Sequence, residues 1–160
     1  MRTYEKTSLL TCTIEELFYF HLDLANLKAI TPKNTKITLL NEPFTPKEGD
    51  VLRLKTVKNF IPIMWEVEIQ TIHEPYLLVD VALKSPFLYW KHSHVFTQRA
   101  NGICELKDIV RYKLPFGFFG ALFDFFVSHE LAKMFAYRHE VTQQILEAKN
   151  QNYLQGKQNV

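Results

Sequence analysis

Residues 103–150 limit what this chain can become more than any other stretch. Residues 104–114 set Leu106, Asp108, Val110 and Tyr112 against Glu105, Lys107, Arg111 and Lys113, the two-residue period of a strand. A hinge follows at Leu114-Pro115-Phe116-Gly117, and residues 116–149 read as one long helix. That helix opens on Phe116, Phe118, Phe119, Phe123, Phe125 and Phe126. So long and apolar a helix cannot stand alone in water, so something concave has to cover it.

The preceding residues supply a cover. Residues 3–10 read as a first strand. Thr13 is a good N-cap, with Glu15 and Glu16 in the first turn and Ile14, Leu17, Phe18 and His21 at helical spacing. Residues 23–30 read as a second short helix, capped by Asp23 and stopped before Thr31-Pro32. From residue 36 the period turns to two. Strands are expected at 36–40, 51–57, 64–72, 77–84, 88–98 and 104–114. Residues 64–72 put Trp65, Val67 and Ile69 on one face, and residues 88–98 do the same with Trp90, His92, His94 and Phe96. In residues 77–84 the face of Leu77, Val79, Val81 and Leu83 reads as apolar, and that of Asp80 and Lys84 as wet. One-sided strands make an antiparallel sheet, and Asn101-Gly102 marks a hairpin. The expected class is α+β: a curved antiparallel sheet of about seven strands wrapped on a long C-terminal helix, with two short helices after the first strand. Residues 1–150 form one domain, and residues 151–160 are expected to be a disordered polar tail.

Composition excludes several classes of function. A net charge of +2 and scattered basic residues do not make a nucleic-acid stripe. There is no Gly-rich phosphate loop and no Gly-x-Ser-x-Gly. Cys12 and Cys104 have no metal spacing. The N-terminus shows no signal-peptide core, and the apolar run at 114–123 is too short to span a bilayer. A cytoplasmic location with reduced thiols is expected.

Several segments carry a family resemblance. These are Pro86-Phe87, the run Trp90-Lys91-His92-Ser93-His94-Val95-Phe96, the run from Asp108 through Tyr112 to Leu114-Pro115-Phe116-Gly117, and Phe135-Ala136-Tyr137-Arg138-His139. Together with the element order, they resemble the helix-grip START-like superfamily, the SRPBCC group of Bet v 1-like and polyketide cyclase-like proteins. Within that group they are similar to a bacterial ligand-binding subfamily. The resemblance covers essentially the whole chain. It implies an internal cavity for lipids, polyketides or other apolar molecules, in a superfamily where some members are enzymes and many only bind.

The candidate site follows from faces. His92 and His94 are two apart, so they point the same way. Asp108 and Tyr112 face them from the next strand if Leu106 and Val110 point inward. This polar cluster could orient a ligand carbonyl or hydroxyl, or move a proton, or its members could simply satisfy one another. Ligand-lining candidates are Trp65, Val67, Trp90, His92, His94, Phe96, Asp108, Tyr112, Phe119, Phe123, Phe135 and Arg138. His92, His94 and Asp108 are the catalytic candidates. His-x-His also occurs in metal sites, with Asp108 or His139 as a conceivable third ligand, but the spacing demands none, and neither a metal nor a cofactor is expected. Arg138 sits beside the apolar helix stripe of Leu131, Met134, Phe135, Val141 and Ile145. It either reaches inward or snorkels outward, and snorkelling is the favoured reading. Tyr137 and His139 are expected on the outer flanks.

The functional expectation is intracellular binding of an apolar small molecule. One alternative is a cyclase or dehydratase using the cavity His, Asp and Tyr. Another is an interaction module built on the Phe-rich helix start, although membrane contact is not expected.

Overall fold

The computed structural model describes residues 1–115 and 117–158. Chain order is β1 (Arg2–Leu10), α1 (Ile14–Leu22), α2 (Leu24–Ala29), β2 (Thr35–Leu39), β3 (Val51–Lys58), β4 (Ile61–His73), β5 (Leu77–Lys84), β6 (Tyr89–Ala100), β7 (Ile103–Lys113) and α3 (Gly117–Gln158). The strands form one antiparallel sheet in the order β1-β7-β6-β5-β4-β3-β2. This is the expected helix-grip α+β architecture.

Local chemistry explains the joints. Thr13 and Glu16 form a reciprocal capping box on α1: Glu16 N donates to Thr13 Oγ1 at 3.2 Å, and Thr13 N donates to Glu16 Oε2 at 3.0 Å. Asp23 ends α1 and starts α2, its Oδ1 accepting from Ala25 N at 2.9 Å. The β6–β7 hairpin turns at Gly102, whose φ of 73° suits glycine. The β3–β4 hairpin turns on Asn59 and Phe60, with φ of 50° and 65°. Positive φ at both central residues matches the twist of the flanking strands.

α3 lies along β1. Its buried stripe is Leu131, Phe135, His139, Thr142 and Leu146. His139 therefore sits inside the molecule and not on an outer flank, and Tyr137 faces the hollow described below. Leu146 joins Phe18, Phe96, Leu106 and Leu10 in one core cluster, while Leu131 and Phe135 join Trp90, Val110 and Tyr112 in a second. A third cluster, Leu39, Leu52 and Leu54, packs under Leu24 and Leu27 of α2. Sheet and helix are thus in solid contact on the β1–β7–β6 side and separated on the β2–β4 side.

Candidate functional site

The separation leaves a cavity of about 940 Å³. That is at the upper end of the size of small-molecule sites. Leu52, Leu54, Ile63, Trp65, Val67 and Ile69 of β3 and β4 form much of one wall, and Leu24, Leu27 and Ile30 close an end. Leu131, Met134, Tyr137 and Arg138 of α3 form the opposite wall.

One wall is polar, and the strand register builds it. His94 stands opposite Asp108 on β7, and His92 stands opposite Asp80 on β5. His92 Nε2 lies 3.1 Å from Asp108 Oδ1, and His92 Nδ1 lies 3.5 Å from Asp80 Oδ2. His94 Nδ1 lies 2.6 Å from Asp108 Oδ1, although off the line of a hydrogen bond. His139 reaches in from α3, placing Nε2 2.9 Å from Asp108 Oδ2 and Nδ1 2.9 Å from Ser8 Oγ. One buried carboxylate thus gathers three imidazoles. Asp108 is 2 % exposed.

The electrostatics follow from this geometry. Burial pushes the Asp108 carboxyl up. The nearby His94 and His92, with hydrogen bonds from His139 and His92, outweigh that and hold it well below the usual carboxylate range. Among the described residues Asp80 has no such set of donors, and burial raises its pKa to about 6. His21, on α1, donates Nδ1–H to Leu17 O at 2.8 Å and lies 5.0 Å, ring to ring, from His94. Burial first, and the neighbouring His94 second, lower its pKa to about 3, so it stays neutral. Arg138 faces the hollow with its Nε buried and without a hydrogen-bond partner among the described residues. Its guanidinium stands 5.6 Å from the Phe135 ring centroid. It does not snorkel outward.

The residues singled out by sequence divide into groups. Trp65, Val67, Trp90, His92, His94 and Arg138 line the hollow. Asp108 stands behind the two histidines. Phe96 turns to Phe18, with ring centroids 5.8 Å apart, and is core. Phe135 is also buried core, and Tyr112 is buried with its hydroxyl donating to Asp124 Oδ1 at 3.0 Å. Phe123 is exposed and outside the hollow. The side chain of Phe119 lies outside the described residues.

Two further wall residues, Asp80 and His21, escape the sequence reading. On β5 it is Leu78, Asp80 and Ala82 that share the inner face, the reverse of the expected orientation. That strand is apolar on both faces, so alternation could not choose. The available signal was the lone carboxylate inside the run Leu77–Leu83, which needs a partner wherever it points. His21 had its signal too, on the apolar face of α1 at the spacing of Leu17 and Phe18.

The arrangement can be compared with known proteins. TTHA0849 from Thermus thermophilus superposes with a TM-score of 0.73 at 15 % identity, covering 92 % of this chain and 99 % of that one. A START superfamily protein from Mycobacterium smegmatis matches with a TM-score of 0.65 at 12 % identity, over 91 % and 97 % of the two chains. Ara h 8.0201 matches with a TM-score of 0.63 at 13 % identity, over 88 % and 97 %.

The chain has the START-like, Bet v 1-like helix-grip fold.

At such identities the likeness of this chain to those structures is one of fold. No family model and no curated protein matches its sequence. Among the described residues no helix is long and apolar enough to cross a membrane.

Proposed function

We propose that this START-like chain binds one apolar small molecule, such as a lipid, a polyketide-like compound or an aromatic metabolite, inside the hollow. The polar end of that molecule rests on the wall of Asp80, His92, His94 and Arg138. The observation that carries the reading is the cavity of about 940 Å³, walled by apolar side chains and polar on one side. Covering about 300 Å² of apolar ligand surface contributes roughly 7 kcal/mol. Association costs at least about 4 kcal/mol, so the apolar walls give modest affinity. Selectivity then falls to the polar wall, because a hydrophobic pocket discriminates by only about 1–3 kcal/mol per methylene. Both cysteines are free and buried, which suits a cytoplasmic carrier. Native mass spectrometry of freshly purified protein, followed by solvent extraction, tests the proposal. The expected result is a retained apolar molecule. A chain that emerges empty, and stays empty after incubation with a lipid and metabolite extract, overturns it.

A second reading rests on the Asp108–His92 pair. An imidazole oriented by a buried carboxylate and facing a cavity can act as a general acid or base. This is the cyclase or dehydratase reading. It requires a histidine of the wall to titrate near neutrality. NMR titration showing His92 and His94 uncharged and static from about pH 5 to 8 would remove it.

A third reading concerns the mouth. Phe126, Lys58, Ile63 and Glu130 rim the hollow, and Lys58 pairs with Glu130 across it. Beside them Phe60 is 99 % exposed, and Phe125 and Phe126 are exposed too. Such a rim suits contact with an apolar surface during ligand exchange. Co-sedimentation with phosphatidylcholine vesicles is expected to weaken in Phe60→Ser, and no sedimentation by the parent chain excludes this reading.

A further inference from the structure

The polar wall poses a question that an apolar ligand alone does not answer. An ionised carboxylate only accepts hydrogen bonds. The imidazole nitrogens that donate to Asp108 therefore carry protons: Nε2 of His92 and Nε2 of His139. In the neutral imidazole of His92 the other nitrogen, Nδ1, is then bare. His92 Nδ1 lies 3.5 Å from Asp80 Oδ2. A lone pair on each of these two atoms calls for a proton or a metal ion between them.

We propose that Asp80, His92 and His94 are the three ligands of a divalent first-row transition-metal ion. One donor atom of each lies within 4.8 Å of the other two. Bonds of about 2.0–2.2 Å would draw such atoms to roughly 3–4 Å apart, a small adjustment of side-chain rotamers. Two imidazoles and one carboxylate suit zinc, iron, cobalt or nickel better than magnesium or calcium. Asp108 supplies His92 with what metal-binding histidines usually have, an outer carboxylate that fixes the tautomer and aims the bare nitrogen, and it lies beside His94 as well. His139, itself paired with Ser8 through Nδ1, holds that carboxylate from behind. Arg138 faces the same hollow, but against this one fixed cation the cluster sets the two carboxylates of Asp80 and Asp108. All three ligands come from neighbouring strands β5 and β6, so the ion's remaining positions open into the cavity, where a carbonyl, hydroxyl or carboxylate of an occupant could reach them.

The inference does not depend on the apolar ligand, and the experiment keeps the two apart. The full chain is stripped with dipicolinate, desalted and titrated with Co²⁺, followed by visible absorption, and then with Zn²⁺ by calorimetry. One ion per chain is expected, with a cobalt band that zinc displaces. Asp80→Asn, which keeps the shape of the side chain, weakens binding by about 100-fold or more, whereas Asp108→Asn leaves the site in place and weakens it by about 10–100-fold. Circular dichroism establishes that each variant is folded. His92→Ala serves as a second test if it folds, and Asp80→Asn suffices if it does not. Absence of saturable cobalt or zinc uptake by the parent chain overturns the inference, as does equal uptake by Asp80→Asn. Uptake of an apolar probe by the stripped chain is read separately. Probe binding without metal binding rejects the ion and leaves the carrier reading standing, and the converse rejects the carrier reading alone.

Discussion

Strands β1, β7 and β6 press much of their inner faces onto α1 and α3, whereas β2 and β3 pack in part under α2 and β4 turns its inner face toward open space. On the first side Phe18, Phe96, Leu106, Val110 and Phe135 are all essentially inaccessible. On the second, Trp65, Val67 and Ile69 have the same alternation and the same hydrophobicity but remain half-buried. The difference comes from α3, which runs along β1 and whose described residues do not join the Leu39–Leu52–Leu54 cluster. A helix gripped at one edge of a curved sheet packs there and leaves a gap at the other. The acids divide in the same way. Asp108 belongs to the packed side and is fully paired, while Asp80 faces the gap beside His92 and His94.

The largest expected effects fall on the packed side. Asp108→Ala strands three imidazoles around an empty place and is expected to cost about 3–5 kcal/mol in urea unfolding. Phe18→Ala and Phe96→Ala each cost about 3–5 kcal/mol, the range for a large aromatic lost from a closed core. On the open side Trp65→Ala is expected to cost only about 1–2 kcal/mol, since its ring already borders free volume. Equal losses at Phe96 and Trp65 would break the comparison. Asp80→Ala is expected within about 0.5 kcal/mol of the parent or above it, because burial already disfavours that carboxylate. A loss as large as that of Asp108→Ala would show that Asp80 is structural.

The smallest effect concerns the thiols beneath α1. Burial, with the adjacent Cys104 thiol, raises the Cys12 pKa to about 12. Almost no thiolate is present at pH 8, so iodoacetamide is expected to spare Cys12 in the folded chain and label it in urea. The sign of the linked stability effect is set. Above about pH 8.5 the unfolded thiol loses its proton while the folded one keeps it, so stability falls as pH rises toward 12. Rapid labelling of native Cys12 would place it in a more open region than this.

Much of the fold was legible because its signals are local. The Thr13–Glu16 capping box, Asn101-Gly102 and the strict alternation of β6 and β7 each depend on residues a few positions apart. The site was legible in part for the same reason, since His92, His94 and Asp108 share an inner face through alternation alone. What stayed hidden depends on tertiary distance. Phe96 and Trp90 share an inner face, yet only Trp90 borders the hollow, because α1 covers one and not the other. Helical periodicity set Arg138 beside the apolar stripe of α3, with an outward reach favoured, and His139 on an outer flank, while the structure turns Arg138 to the hollow and buries His139 against Asp108. β5, apolar on both faces, left the orientation of Asp80 to its register with His92.

Both tryptophans of the chain, Trp65 and Trp90, line the hollow, so their emission reports directly on its contents. The decisive measurement is titration of the chain with 1-aminoanthracene, read by energy transfer from tryptophan, in parallel with Val67→Phe, which narrows the cavity from β4. The expected result is saturable one-to-one transfer in the parent chain that is lost in Val67→Phe, while stability changes by less than about 1.5 kcal/mol. Transfer of equal strength in both chains, or none in either, would contradict a binding cavity between the sheet and α3.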